Sequence, residues 1–281
     1  ITRRIVEHIT ENIGSGEQIV MPESQNVDLE AWLLVYEAAE HANAPSPEHL
    51  ALGLKQLARA IELEPDWEEA YVWLSILQRL EVQLGSSRDP EASMQAAWES
   101  AQKAKTLAPD HPGAYAALAT WHVMRGEFAE GVRAVDRAIE LAPTNAPIVG
   151  TGAMVHFLVG EPAVAVEYGR RALRLTPGIH LRWIMNWTAR AELLLGQTEK
   201  AEALFREILS GDPDDHWIAG ANAFLALIEA GRGNEDEAAR LVAKAMELAP
   251  HYRTSTFFRG KKDRSSVAPW LETWKRLGMP E

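Results

Sequence analysis

The 281-residue chain contains no cysteine, which excludes disulfides, thiolate nucleophiles, cysteine-ligated zinc and iron–sulfur clusters together. Positive charge is scarce: 28 Lys and Arg stand against 40 Asp and Glu, a formal net charge of −12. Nucleic acid and anionic membrane surfaces are poor partners for such a chain, because it has no surplus of cations to replace counterions. Long hydrophobic runs are missing as well. The longest weakly polar stretch, 147–160, contains His156 and is too short to span a bilayer. There is no basic-then-apolar leader and no initiator methionine. The chain opens on Ile1-Thr2-Arg3-Arg4-Ile5-Val6, already in a helical apolar pattern, and reads as a piece of a longer protein.

Catalytic signatures are absent too. The sequence has no Gly-x-Ser-x-Gly elbow, no Walker-type loop, no His-Glu-x-x-His and no EF-hand ladder. Gly150-Thr151-Gly152 lacks the third glycine of a dinucleotide loop, so the two glycines are expected at helix contacts. The acidic run Asp212-Pro213-Asp214-Asp215-His216 stands where a helix should begin, and is expected to cap it rather than hold a metal. His122 and His156 are equivalent in successive units but have no third ligand type beside them. No enzyme activity, cofactor or metal is therefore expected.

What is present is a repeat. Similar endings close on Pro65, Pro109, Pro143, Pro177, Pro213 and Pro250, at spacings of 44, 34, 34, 36 and 37 residues. A 34-residue period ending in proline is the length of a helix-turn-helix solenoid unit. Each unit has an apolar helical first half and a second helical half. The last four have a glycine where the chain must reverse (Gly126, Gly160, Gly196, Gly233), whereas the first has a long turn from Asn43 to Glu48. Small residues recur where paired helices must approach: Ser75, Ala119, Ala153, Ala189 and Ala226 in first helices, and Ala97, Gly131, Ala165, Ala201 and Ala238 in second ones.

These residues, with the Tyr71 and Tyr115 starts, resemble the tetratricopeptide repeat (TPR) family over roughly residues 28 to 250. The resemblance implies an all-α fold, a right-handed superhelical solenoid of stacked helical hairpins whose neighbours share one continuous core. It also implies a concave face that commonly binds peptides. We expect an entering helix and linker over 1–25, a solenoid of about six units over 26–250, and a loop with a C-terminal capping helix over 251–281. Ser46 should cap a helix led by Pro47, and Asp89 one led by Pro90. About ten extra residues near 83–90 belong in the turn of the second unit. Trp270, Leu271, Trp274 and Leu277 share the apolar face of the last helix.

By helical spacing the concave lining is Trp73, Ile76, Thr120, Met154, Asn186, Trp187, Arg190 and Phe224. The set is mainly apolar, and the basic-plus-Asn clamp that some family members place on a peptide carboxylate is absent. Asn186 and Arg190, one turn apart, are the polar pair. They are candidates for one carboxylate or a peptide backbone, and the alternative is that Arg190 pairs with Glu192 or Glu229. An apolar groove of this length invites an occupant: a second copy, the chain's own ends, or an outside peptide. The two chain ends, Ile1-Thr-Arg-Arg-Ile-Val and Leu277-Gly-Met-Pro-Glu281, resemble the C-terminal repeat region of bacterial class III adenylate/guanylate cyclases and related winged-helix regulators. The expected function is a cytoplasmic, non-enzymatic module that binds a protein or peptide partner. The alternatives are a self-association (homodimer) module for an upstream domain and, behind both, a small-ligand binder or enzyme.

Overall fold

The structure, a computed structural model, describes residues 27–178, 181–211, 213–255, 257–258 and 260–281. The expected entering helix and linker lie outside the described residues. Among the described residues there are thirteen α-helices and no strand. Six antiparallel hairpins follow one another: α1 (Leu29–Asn43) with α2 (Pro47–Leu63), α3 (Glu68–Leu84) with α4 (Pro90–Leu107), and α5 (Pro112–Met124) with α6 (Phe128–Leu141). Then come α7 (Ala146–Val159) with α8 (Pro162–Leu175), α9 (Arg182–Leu194) with α10 (Thr198–Ile208), and α11 (Asp215–Gly231) with α12 (Glu235–Leu248). A 3-10 turn (Ser265–Val267) leads into α13 (Ala268–Arg276). The whole is an α solenoid.

Local chemistry sets the helix ends. Asp28, Ser46, Asp89, Asn145 and Asp214 each accept backbone N–H groups of the first turn that follows them, satisfying donors that a helix start leaves free. Asp214 thus spends its carboxylate on His216 and Trp217 amides. Reversal within the hairpins falls on glycine: Gly126 and Gly160 sit at φ 82° and 98°, a left-handed region closed to most side chains. The extra residues of the second unit do not gather in its turn. Helices α3 and α4 run to 17 and 18 residues against 13 and 14 in α5 and α6, and only the remainder lengthens the turn. No breaker occurs before Gly85, so the added residues continue the helix.

The repeated small residues sit at the helix contacts. Ser75, Ala119, Ala153, Ala189, Ala226, Ala97, Ala165, Ala201 and Ala238 are all buried. A Cβ on Gly131 would stand 2.5 Å from Val123. Gly150, expected at a helix contact, would meet Ile184 at 2.4 Å if it carried a Cβ.

The core is not one continuous body. One cluster joins the first two hairpins, from Ala31 to Leu77, and a larger one runs from Ala116 to Met279. Between them lie two small groups around Ala104 and Ala101. The break falls at α4, whose buried residues are Met94, Ala97, Ser100, Ala101 and Ala104, and where Ser100 donates its hydroxyl to Gln78 at 3.0 Å. Alanine and serine bury too little apolar area to fuse the two clusters.

Candidate functional site

First helices of all six hairpins face a common cavity of about 1130 Å3. The first and last hairpins meet at its edge, where the Trp217 indole N–H donates to the Asn43 carbonyl at 2.7 Å. The repeat places its lining in register. Ile76, Thr120, Met154 and Arg190 each follow the small contact residue by one position, and Trp73, Trp187 and Phe224 precede it by two. Seven of the eight expected groove residues line the cavity: Trp73, Ile76, Thr120, Met154, Asn186, Trp187 and Arg190. Phe224 does not. It is 0% exposed, stacked on Phe205 at 5.1 Å, and covered by Trp270 and Trp274.

The cover over Phe224 is the C-terminal segment, which runs across the concave face. Phe257 and Phe258 pack on Phe224, and Phe258 also reaches Phe157 at 6.0 Å. Further along, the Lys262 amide donates to the Leu158 carbonyl, and the Lys261 ammonium donates to the Phe157 carbonyl, both at 2.8 Å. Those carbonyls belong to the last turn of α7, where acceptors are in excess and a cation is favoured. Gly260 permits the approach, since a Cβ there would stand 3.0 Å from the Met124 sulfur and 3.2 Å from its Cα. Phe258 holds φ at 62°, the one non-glycine residue with positive φ among the described residues. Helix α13 then packs against α11, with the Trp274 indole donating to the Ala223 carbonyl at 2.7 Å. The last helix and its loop therefore cover the concave side of the last hairpin.

Asn186 and Arg190 are bonded to each other, with the guanidinium Nε donating to the amide oxygen at 3.1 Å. The same guanidinium lies 4.6 Å from the Trp187 ring and 4.6 Å from the Phe224 ring. Neither acid considered for Arg190 is its partner. Glu192 is buried on the opposite side of α9 and receives Arg170 at 2.6 Å, and Glu229 receives Arg232 at 2.9 Å. Burial lowers the Arg190 pKa to about 10, and no carboxylate offsets it.

A second cation in the lining was not in the expected set. Arg79 is 9% exposed, donates one terminal nitrogen to Gln83 at 2.7 Å, and leaves its Nε without a partner. Burial alone lowers its pKa to about 10. The sequence carried a signal for it. The equivalent positions in the next four units are Val123, Phe157, Leu193 and Ala230, so an arginine breaks an apolar register.

The other polar groups of the lining have local tasks. Glu69 accepts from the Trp73 indole at 2.9 Å and pairs with His111 at 3.1 Å. His216 is held neutral: burial first, then the Arg190 charge, lowers its pKa to about 4. His122 and His156 each bind a glutamate five residues on, Glu127 at 2.6 Å and Glu161 at 2.7 Å, across the hairpin turn. Among the described residues no group of three or more His, Asp or Glu is placed to hold a metal ion. No helix of the described residues is long and apolar enough to cross a membrane.

No protein-family model and no curated protein matches the chain. Solved structures do. The Cut9–Hcn1 hetero-tetramer of the APC/C is similar over 91% of this chain and 47% of that one, at 15% identity and a TM-score of 0.62. PilW, a type IV pilus biogenesis factor, matches over 80% and 96% at 18% identity and TM-score 0.53, and Pseudomonas aeruginosa PilF over 79% and 93% at 15% and 0.51. The fold is TPR-like. At these identities the likeness extends to the fold alone, and the TPR-like solenoid accounts for the period, the mid-unit glycines and the buried small residues in one scheme.

Proposed function

We propose that the chain is a protein-interaction scaffold that takes peptide segments on its concave face, through Trp73, Ile76, Thr120, Met154, Asn186, Trp187 and Arg190. A TPR-like fold supports the scaffold. One observation carries the peptide reading: the chain's own C-terminal segment lies on that face as a ligand would. It is anchored by two phenylalanines and donates a main-chain amide and an ammonium to helix-end carbonyls. A surface that holds such a segment in cis has the apolar pockets and helix-end carbonyls to hold one in trans once the tail releases them.

The reading extends, on the resemblance of the two chain ends, to a cytoplasmic regulatory or localising region of a larger bacterial signalling protein of the class III cyclase kind. The C-terminal end also has a local task, since Met279 is buried and the Pro280 carbonyl accepts the Thr254 amide at 2.9 Å. For self-association the described residues offer less support: among them the exposed large apolar residues Leu52, Leu175 and Leu195 stand on three separate hairpins.

The test is a displayed random-peptide library selected on the full chain, with hits measured by fluorescence anisotropy. Selected peptides should bind the parent chain in the micromolar range and lose about tenfold or more on Ile76→Arg, which puts a charge on the apolar wall. Loosening the tail with Phe258→Ala should strengthen them. Peptides that bind Ile76→Arg as well as the parent would sink the concave-face reading.

A further inference from the structure

The tail leaves part of the chamber open, and that part is chemically unusual. Many arginines elsewhere pair with acids, such as Arg125 with Glu91, Arg137 with Asp110 and Arg232 with Glu202, and others such as Arg171 and Arg182 donate to backbone carbonyls. The chain has 40 acidic residues to spend and a net charge of −12. Yet the two arginines that face the chamber, Arg79 and Arg190, have only amide oxygens as bonded partners. Arg79 is nine-tenths buried with Nε unsatisfied, an arrangement that costs free energy unless a negative group compensates it. Arg190 is stacked against two rings and tethered through Nε, and it lines the cavity with its two terminal nitrogens not engaged by a carboxylate, a fork available to an anion. Around these charges the wall is mainly apolar, with Glu40, Glu68 and Glu69 at the side of the first two hairpins, and the volume of about 1130 Å3 is ample for a small molecule.

We propose that the open chamber is a binding site for a small amphipathic anion. Its carboxylate or sulfonate head sits on the Arg190 fork, and its apolar body lies along the wall that includes Met154 and Ile76. Arg79 supplies the second positive charge of the lining. The lining also carries Glu40, Glu68 and Glu69, so anion preference rests on the local Arg190 fork and not on the net charge of the cavity. Asn186 and the Trp187 ring orient the fork, so the head group meets a guanidinium already fixed in place. This inference stands without the peptide reading: a library that yields no peptide leaves the small anion's binding untouched, and the converse holds.

The experiment uses the full chain and two probes of similar shape, the sulfonate dye 8-anilinonaphthalene-1-sulfonate and the neutral dye N-phenyl-1-naphthylamine. We expect one sulfonate dye per chain, bound about tenfold or more tighter than the neutral dye. Dodecanoate should displace it, and dodecanol should do so at least about tenfold less well. Arg190→Gln should remove the preference for the sulfonate while leaving the neutral dye within about twofold, and Arg79→Gln should reduce it. Equal affinity for both dyes, equal displacement by dodecanoate and dodecanol, or unchanged sulfonate binding in both variants would overturn the proposal. So would many weak sulfonate sites per chain, or none. The dodecanoate comparison needs no substitution, so a variant that fails to fold leaves the proposal open to refutation.

Discussion

Helices α8 and α9 approach so closely at Gly169 that the position is a direct test of the packing described above. A Cβ there would stand 2.0 Å from the Thr188 hydroxyl, 2.9 Å from its Cβ and 3.0 Å from its methyl. Rotating Thr188 gives no escape, because it is fully buried, its hydroxyl donates to the Ile184 carbonyl at 2.7 Å, and the Cβ contact does not move with χ1. Gly169→Ala therefore forces the two helices apart, an overpacking penalty of about 2–3 kcal/mol. Better helix propensity returns about 1 kcal/mol, leaving a net loss of about 1–2 kcal/mol. Gly220 in α11 is the internal control: its nearest neighbour would be the Tyr252 hydroxyl at 3.7 Å, an ordinary contact. Gly220→Ala should stabilise by about 0.5–1 kcal/mol. Thermal and urea unfolding followed by circular dichroism measures both, with about 2–4 °C expected per kcal/mol in a chain near this size. In the Gly169→Ala background, Thr188→Ala removes the hydroxyl and methyl and should recover about 1 kcal/mol. Equal stability of Gly169→Ala and Gly220→Ala, or no recovery with Thr188→Ala, would refute the close approach.

Four further outcomes are expected. His216 is protonated less readily in the folded chain than when unfolded, so its contribution is complete above pH 6.5 and is lost as pH falls from 6.5 to about 4. His216→Gln should flatten the stability profile across that window by about 1–3 kcal/mol. In the Arg170–Glu192 pair the acid is fully buried and the base about a third exposed. Arg170→Ala strands a buried charge and should cost about 3–5 kcal/mol, whereas Glu192→Gln, which lets Arg170 turn to water, should cost about 1–3. Equal losses would count against that asymmetry. Trp274→Ala empties the anchor under α13 and should detach the C-terminal segment, seen as tryptic cleavage at Lys261–Lys262 about tenfold faster or more, with the solenoid still folded. Finally, hydrogen exchange should show amides of α1–α3 opening separately from those of α5–α12, because the core is interrupted at α4. A single opening free energy throughout would contradict the interruption.

The solenoid was legible in the sequence because each of its signals is local. A proline closing every unit, a glycine at five of the six reversals, and Ser46, Asp89 and Asp214 ahead of their helices act within one or two turns of chain. The concave register was legible for the same reason: Ile76, Thr120, Met154 and Arg190 follow from helical spacing and the position of the small residue. Spacing says nothing of what lies on top. Phe224 shares the register of Trp73 and Trp187, and its burial follows from contacts with Phe258, Trp270 and Trp274, which are separated from it by helix α12 and a loop. The second unit shows a different limit. Its surplus residues are good helix formers up to Gly85 and after Pro90, so length alone could not divide them between turn and helices.

Arg79 and Arg190 meet where these two kinds of information cross. Each breaks a register that is uncharged in the other units compared, Val123, Phe157, Leu193 and Ala230 for one, and Ile76, Thr120 and Met154 for the other. The repeat's packing needs neither charge, since the same register is filled elsewhere by apolar or small residues of the same fold. Both also carry the signature of desolvation, a guanidinium that releases its proton more easily than in water and has no carboxylate to offset it. A structural role and a ligand role then predict the same change in stability and opposite changes in binding. If the arginines serve only packing, replacing either with methionine, which keeps the stem and drops the charge, should stabilise the chain by about 1–4 kcal/mol and leave anion binding as it was. If they serve a ligand, the same substitution should again stabilise the free chain, yet Arg190→Met should abolish the preference for an anionic over a neutral dye and Arg79→Met should reduce it. Melting temperature and dye affinity measured on the same Arg79→Met and Arg190→Met samples separate the two, because only the second role ties a gain in stability to a loss in binding.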